Sequence, residues 1–244
     1  MYEFQTFAYL DVQKTGSSFI IDVLRKYCIE ATVQKDKHIG MGDGYDPKKF
    51  YFISVRNPLD QYLSLYSYGC ESKGQFYLRL KRNGLERLYD SKTWDGFREW
   101  LDFVLDPDNV GLLGQDYADE ELAEVSKLIG LQSYRVLSLS IPDSKKVLAA
   151  SKTQHDIRKA YKFKNIAGYT VRHETLRTDL ARLVRTTLRH SMSDLQAVLH
   201  YIETAAPRNA SKRVDSREDR FKIGSDQQRR LDEREWLLHQ VFGY

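Results

Sequence analysis

Two segments of this chain show the pattern of a strand followed by a loop and a helix, and this pattern constrains the fold more than any other feature. The clearer segment begins with the apolar run Phe50–Val55, which is typical of a strand buried in a parallel sheet and ends at Arg56-Asn57-Pro58. Pro58 fits the first turn of a helix. An apolar stripe follows at helical spacing: Leu59, Tyr62, Leu63 and Tyr66. The pattern predicts a βα unit.

An earlier βα unit is predicted at the start of the chain. Residues 4–12 are aromatic and β-branched enough for a strand, and the polar stretch 13–18 then interrupts them. A helix capped by Ser17 or Ser18 is predicted from apolar residues at i, i+3, i+4 and i+7: Ile20, Val23, Leu24 and Tyr27. Strands that alternate with helices indicate an α/β fold with three layers, in which helices flank a central, mainly parallel sheet.

Further segments extend this pattern over the rest of the chain. Short apolar runs predict strands at 31–35, 134–139 and 166–171, the last leading into a helix that carries Leu176, Leu180, Leu183 and Leu188. Helical stripes are also predicted from Trp94 to Leu105 and from Leu122 to Ile129. At 244 residues without a linker-like tract, the chain is expected to form one domain over residues 1–244.

The composition excludes several functional classes. A formal net charge of +4 is too small for a dedicated nucleic-acid surface. Two cysteines do not make a disulfide framework, and no apolar run approaches the ~20 residues of a membrane span. The basic residues are concentrated after about position 150, which suits an anionic ligand or simply solvated helix faces.

The loop Lys14-Thr-Gly-Ser-Ser18 lies between a predicted strand end and a predicted helix start, where backbone N–H groups and the helix dipole favour an anion. Gly16 lets the backbone approach a ligand, the hydroxyl residues offer donors, and Lys14 offers a charge. The loop is not a Walker A loop, because the lysine precedes the glycine. Either a phosphate site or an ordinary βα turn fits these five residues.

Arg56 lies at the carboxyl end of the second strand, and Ser64 follows eight residues later, about two helical turns on. Arginine supplies a bidentate fork and serine a hydroxyl, and together they suit a phosphomonoester. An ordinary ion pair is the alternative for the arginine.

The two loops together resemble the PAPS-dependent sulfotransferase family, where PAPS is 3′-phosphoadenosine 5′-phosphosulfate. The 5′-phosphosulfate loop of that family reads roughly Lys-[ST]-Gly-[ST]-[ST], and its 3′-phosphate element reads Arg-[ND]-Pro with a serine eight residues after the arginine. Three looser matches resemble the carbohydrate-type members: Arg172-His-Glu-Thr-Leu176, Arg208-Asn-Ala-Ser-Lys-Arg213 and Phe242-Gly-Tyr244. The resemblance implies a P-loop-like fold.

The resemblance also implies roles for these residues. Lys14 would be catalytic, stabilising charge on the bridging oxygen as the sulfuryl group departs. Thr15, Gly16, Ser17 and Ser18 would hold the 5′-phosphate, while the 3′-phosphate of PAPS, or of the product 3′,5′-diphosphoadenosine (PAP), would bind four residues: Arg56, Ser64, Lys212 and Arg213. Asn209 and Ser211 would lie beside Lys212 and Arg213 over the same 3′-phosphate.

The acceptor hydroxyl needs a base, and His38 is the first candidate, since many members of the family place a catalytic histidine there. Those members often have a lysine two residues earlier, whereas this chain has Asp36. That departure leaves other bases open: Asp11, Asp43, Glu71, His173 and Glu174.

The preferred acceptor is a saccharide, with a small alcohol, a lipid head group or a tyrosine as alternatives. No cluster of Cys or His shows metal-ligand spacing, and no metal is expected. A Mg²⁺-dependent small-molecule kinase of the P-loop type and a non-catalytic nucleotide- or glycan-binding module are the alternative functions. A cytoplasmic, bacterial-type enzyme is expected, with a trimmed lumenal domain of a Golgi enzyme as the alternative.

Overall fold

The computed structural model describes residues 1–35, 44–206 and 223–244. Within these ranges the strands are β1 Tyr2–Glu3, β2 Phe7–Leu10, β3 Gln34–Lys35, β4 Phe50–Val55 and β5 Tyr169–Arg172. The α-helices in the same ranges are α1 Ser17–Tyr27, α2 Pro58–Gly69, α3 Gln75–Arg82, α4 Trp94–Leu105, α5 Val110–Leu113, α6 Ala123–Leu128, α7 Leu131–Ser140, α8 Ser144–Ala149, α9 Gln154–Lys164, α10 Leu176–Thr186, α11 Leu195–Thr204, α12 Ser225–Arg234 and α13 Trp236–Phe242.

The chain packs into two compact units, and neither is continuous in sequence. The first unit is drawn from residues 1–56, 135–144 and 163–210, and the second from residues 57–134, 145–162 and 211–244. All five described strands lie in the first unit. The single domain over residues 1–244 stays a prediction.

The sheet of the first unit has the strand order β3-β1-β2-β4-β5. Its centre is parallel, because β4 pairs in parallel with β2 on one side and with β5 on the other. Strand β1 runs antiparallel to both of its neighbours. The carboxyl ends of β2, β4 and β5 therefore meet at one edge of the sheet, and the predicted α/β class with helices flanking a mainly parallel sheet is confirmed.

The core of the first unit lies between the sheet and helices α1, α10 and α11. The rings of Tyr9 and Phe52 stack across neighbouring strands, with centroids 4.9 Å apart. The predicted stripe on α1 is confirmed, since Ile20 and Leu24 are fully buried against this sheet.

Two strand predictions near the sheet need correction. The strand predicted over residues 4–12 is shorter, since only its residues 7–10 form a strand, β2. Strand β1 precedes the predicted range, and the chain turns between the two strands where the Phe4 N–H donates to the Phe7 carbonyl at 2.8 Å. The strand predicted at 134–139 is wrong, because this stretch lies inside helix α7. Shorter strands than predicted form at the other two places, as β3 and β5.

A buried carboxylate holds the start of helix α7 within the second unit. Glu235 is fully buried and accepts hydrogen bonds from the Gln132 N–H at 3.1 Å and the Ser133 N–H at 2.7 Å. It also accepts from the Ser133 hydroxyl at 2.7 Å and the Tyr62 hydroxyl at 2.5 Å. These bonds satisfy N–H groups that have no partner within the helix, so they favour a helix where the local sequence suggests a strand.

Aromatic side chains fill the core of the second unit around Trp100, which is fully buried. The rings of Tyr66 and Phe97 contact Trp100, with centroid distances of 5.5 and 6.2 Å. The predicted helix from Trp94 to Leu105 is confirmed as α4. In the described ranges no helix combines the length and the apolar character that crossing a membrane requires.

Candidate functional site

The loop between β2 and α1 contains two residues in the left-handed backbone region. Lys14 has φ +67° and Gly16 has φ +95°. Gly16, rather than the predicted serine, is the N-cap of α1, and its carbonyl accepts from the Phe19 N–H at 3.0 Å. Left-handed backbone is unfavourable for a residue that has a side chain, and glycine adopts it without this cost in free energy. This explains why a glycine stands at position 16.

A close approach by other residues gives Gly16 a second constraint. A Cβ at this position would lie 2.9 Å from Leu176 Cδ2 and 3.4 Å from His173 Cδ2. The segment Arg172–Leu176, one of the three looser sequence matches, therefore packs directly against the loop Lys14–Ser18.

The hydroxyls of the loop divide into two groups. Thr15 is fully buried and donates to the Val12 carbonyl at 2.7 Å, and Ser17 donates to the same carbonyl at 2.9 Å. Ser18 is exposed. The hydroxyl protons of Thr15 and Ser17 are therefore used within the loop. The donors that remain for an anion are the main-chain N–H groups at the start of α1. No acidic residue lies in the first turn of this helix.

Arg56 joins the end of β4 to this loop. Its side chain is 7% exposed, and Nη1 donates to the Lys14 carbonyl at 3.3 Å. The predicted anion-binding lysine and arginine are therefore brought together within the first unit. The sheet explains the contact, because the carboxyl ends of parallel neighbours β2 and β4 lie side by side.

The residues after Arg56 belong to the second unit. Asn57 is the N-cap of α2, where its Oδ1 accepts from the Leu59 N–H at 3.0 Å and the Asp60 N–H at 3.3 Å. Pro58 opens the helix as predicted. Ser64 lies half-buried on the same helix, and its part in a phosphate site stays a prediction.

His173 occupies the turn that follows β5, at the same edge of the sheet as the loop. The turn is held by Asp179, whose carboxylate accepts from the Arg172 N–H at 3.0 Å and from the Thr175 hydroxyl at 2.6 Å. His173 is half-buried, while Glu174 is exposed. Of the alternative bases, His173 thus lies beside the loop Lys14–Ser18.

The other candidate bases have different surroundings. Asp11 is fully buried, so an acceptor does not reach it in this conformation. Glu71 lies in the second unit and pairs with Lys73 at 3.0 Å and Lys92 at 3.4 Å. The hydrogen bond from Lys73 lowers the pKa of the Glu71 carboxyl, which makes it a weaker base.

Several predicted residues lie outside the described residues: His38, Asp43, Asn209, Ser211, Lys212 and Arg213. Within residues 1–35, 44–206 and 223–244, no group of three or more His, Cys, Asp and Glu side chains has an arrangement that could hold a metal ion. That the reaction needs no metal stays a prediction.

Sequence reasoning missed two residues beneath the loop. The hydroxyls of Tyr9 and Ser54 lie 2.6 Å apart, and Ser54 Oγ lies 2.5 Å from Thr15 Oγ1. The available signal was weak: one serine in the otherwise apolar run 50–55, and a tyrosine in the preceding strand.

Replacing Gly16 with alanine should lower the free energy of unfolding by more than the strain of the left-handed backbone, about 1–2 kcal/mol, because the new Cβ also meets Leu176. Gly84→Ala is the matched control, since Gly84 has φ +71° but no atom within 4 Å of the point where a Cβ would lie. Thermal unfolding of both variants measures the difference. Equal losses would show that the contact with Leu176 is not restrictive.

Comparison with known protein families identifies the family to which the chain belongs. A family model described as the sulfotransferase family matches residues 1–231, which is most of the chain and includes every predicted site residue. Neither the curated proteins nor the solved structures yield a significant match.

Proposed function

Because this chain belongs to the sulfotransferase family, we propose that it moves the sulfuryl group of PAPS to an acceptor hydroxyl, with a saccharide as the preferred acceptor. Sulfuryl transfer in general follows from the family. One observation carries the choice of PAPS: the loop Lys14–Ser18 and Arg56, which match the two phosphate elements of PAPS-dependent enzymes, are in direct contact through Arg56 Nη1 and the Lys14 carbonyl.

The donor would bind by its two phosphate ends. The N–H groups of residues 15–18 would hold the 5′-phosphosulfate at the start of α1, where the helix dipole favours negative charge. Arg56 and Ser64 would hold the 3′-phosphate, together with the basic residues Lys212 and Arg213. A planar guanidinium suits this role because it binds a phosphate through two parallel hydrogen bonds.

In the reaction, a bond forms between the acceptor oxygen and sulfur while the bond from sulfur to the bridging phosphate oxygen breaks. PAP leaves with the electron pair, and Lys14 would stabilise the negative charge that develops on the bridging oxygen. A base takes the proton of the acceptor hydroxyl. His38 is proposed for this role from the resemblance, and His173 is the competing candidate because of its place beside Gly16.

The preference for a saccharide rests on the resemblance of the segment Arg172–Leu176 and the C-terminal segments to carbohydrate-type enzymes. The many tyrosines and tryptophans of the chain add to this preference only where they are exposed, and five large aromatic side chains are fully buried: Tyr9, Tyr62, Tyr66, Trp100 and Tyr117. Aromatic faces that stack on sugars need to be exposed.

The donor is tested by calorimetric titration with PAP in the absence of Mg²⁺, alongside ADP and ATP. We expect micromolar PAP binding and much weaker binding of ADP, which lacks the 3′-phosphate. Arg56→Ala should lose about 1.5–3 kcal/mol of PAP binding, since a hydrogen bond to a charged group is removed. Arg185→Ala is the control, because it removes an exposed positive charge on α10.

Two outcomes would contradict the proposal. If the wild-type protein does not bind PAP, or binds ATP better and only with Mg²⁺, then the donor is not PAPS and a kinase becomes the better assignment. If Arg56→Ala and Arg185→Ala lose equal affinity, then net charge rather than a specific phosphate contact governs binding.

A further inference from the structure

Two buried hydroxyls, on Tyr9 and Ser54, lie beneath the loop Lys14–Ser18, which is called the phosphate loop from here on after its proposed role, and the sequence motifs do not include them. Tyr9 on β2 and Ser54 on β4 are fully buried, and their hydroxyl oxygens are 2.6 Å apart. Ser54 Oγ lies 2.5 Å from the Thr15 hydroxyl on the loop, and the Tyr9 hydroxyl lies 3.2 Å from Ser17 Oγ. Two neighbouring strands therefore contact the loop through hydroxyl groups.

The direction of these hydrogen bonds follows from the number of protons, because each hydroxyl has one to donate. Thr15 gives its proton to the Val12 carbonyl at 2.7 Å, so Ser54 must donate to Thr15. The proton of Ser54 is then used, so the 2.6 Å contact between Tyr9 and Ser54 is a hydrogen bond only with Tyr9 as its donor. The Tyr9 hydroxyl also points its proton toward Ser17 Oγ, but that contact is longer, at 3.2 Å. The reverse order would leave the contact between Thr15 and the Val12 oxygen without a proton.

This ordered chain runs from Tyr9 through Ser54 and Thr15 to the Val12 carbonyl, which also accepts from Ser17 at 2.9 Å. Burial raises the pKa of Tyr9 far above its ordinary value, so its hydroxyl remains a donor at any working pH. The ring of Phe52 stacks on the face of the Tyr9 ring, with the two ring centroids 4.9 Å apart, and this contact holds the tyrosine ring in place. Every link is a buried bond within one compact unit.

We propose that Tyr9 and Ser54 are positioning residues that hold the phosphate loop in its binding conformation, an inference that rests on the proposed function of that loop. The loop carries left-handed backbone at Lys14, a conformation that a residue with a side chain keeps only where surrounding contacts fix it. By keeping the Thr15 hydroxyl turned inward, the chain of bonds leaves the main-chain N–H groups at the start of α1 as the donors for the ligand.

The test compares Tyr9→Phe and Ser54→Ala with the wild-type protein by two measurements. Calorimetry gives the dissociation constant for PAP, and hydrogen exchange followed by mass spectrometry gives the exchange rates of the loop amides at residues 12–18. We expect each variant to bind PAP about 3- to 10-fold more weakly, as for the loss of one buried hydrogen bond, and to exchange its loop amides faster.

The order of the bonds gives a sharper expectation for the double variant. Once Ser54 is alanine, the Tyr9 hydroxyl no longer acts on Thr15 and keeps only its 3.2 Å contact with Ser17, so adding Tyr9→Phe should cost less PAP affinity than it costs in the wild-type protein. Independent contributions would instead multiply the two fold-changes. A multiplied loss would overturn the proposed chain of bonds.

Tyr117→Phe is the matched control in the second unit. It also removes a buried tyrosine hydroxyl, one that donates to the Ile129 carbonyl at 2.8 Å. It should lower the melting temperature but leave PAP affinity and loop exchange unchanged. If Tyr9→Phe and Ser54→Ala behave in the same way as this control, or speed loop exchange without weakening PAP binding, they have a structural role only and the proposal is overturned.

The two measurements separate this inference from the proposed function. Failure of the wild-type protein to bind PAP would overturn the function as a PAPS enzyme. The exchange rates of the loop in the same variants would then decide the inference, and unchanged rates would overturn it.

Discussion

Replacing Lys14 with methionine should lower the turnover of sulfuryl transfer about 10²- to 10³-fold, the usual loss when one group that stabilises developing charge is removed. PAP affinity should fall much less, because Lys14 is proposed to act on charge that develops only as the sulfur–oxygen bond breaks. Methionine keeps the length of the side chain and leaves the Lys14 carbonyl in place to accept from Arg56. The measurements are the rate of PAP formation from PAPS with a saccharide acceptor, and calorimetry with PAP.

Lys26→Met is the control for a lost positive charge, since Lys26 is an exposed residue in the last turn of α1, the end of that helix away from the loop. It should retain wild-type turnover. If Lys14→Met loses PAP affinity by the same factor as turnover, then Lys14 binds the nucleotide in the ground state and does not act on the leaving group.

Replacing Glu235 with alanine should lower the free energy of unfolding by about 3–5 kcal/mol, the range for removing one partner of a buried network. The change would leave the Ser133 N–H and hydroxyl, the Gln132 N–H and the Tyr62 hydroxyl without their acceptor. Burial, the main cause, raises the pKa of Tyr62 well above its ordinary value, so its hydroxyl keeps its proton and needs an acceptor. Differential scanning calorimetry measures the effect.

Two further variants calibrate that result. Glu233→Ala, two residues earlier on α12, removes an exposed carboxylate whose bond to Arg229 is 3.1 Å long, and it should cost less than about 1 kcal/mol. Glu235→Gln keeps one oxygen acceptor and should fall between the two. A cost for Glu235→Ala no larger than that of Glu233→Ala would mean that the start of α7 does not depend on this carboxylate.

The sequence predicted the site elements whose causes are local. The run Phe50–Val55 is apolar at successive positions and Pro58 follows it, so strand β4, the turn at Arg56 and the start of α2 could each be placed from neighbouring residues. The same holds for the loop before α1, where the glycine and the polar residues mark the turn. Family resemblance then supplied the chemistry.

The features that the sequence mispredicted or left open have causes that lie far away in the chain. Residues 134–139 form a helix because Glu235 accepts the N–H groups at its start, and nothing in the local run signals that partner. The orientation of the Thr15 hydroxyl depends on Ser54, a residue of another strand. The place of His173 beside Gly16 depends on the pairing of β5 with β4. Each is a tertiary contact that local propensity does not encode.

The parallel pairing of β4 with β5 has a consequence for how the protein is made. Phe52 pairs with Tyr169 across a long intervening segment, and closing so long a loop is slow compared with forming local helices. During synthesis, the loop Lys14–Ser18 and Arg56 emerge before the segment that packs on Gly16. A nascent chain that ends before β5 therefore leaves the edge of β4 without its partner strand, and an unpaired strand edge is prone to aggregation.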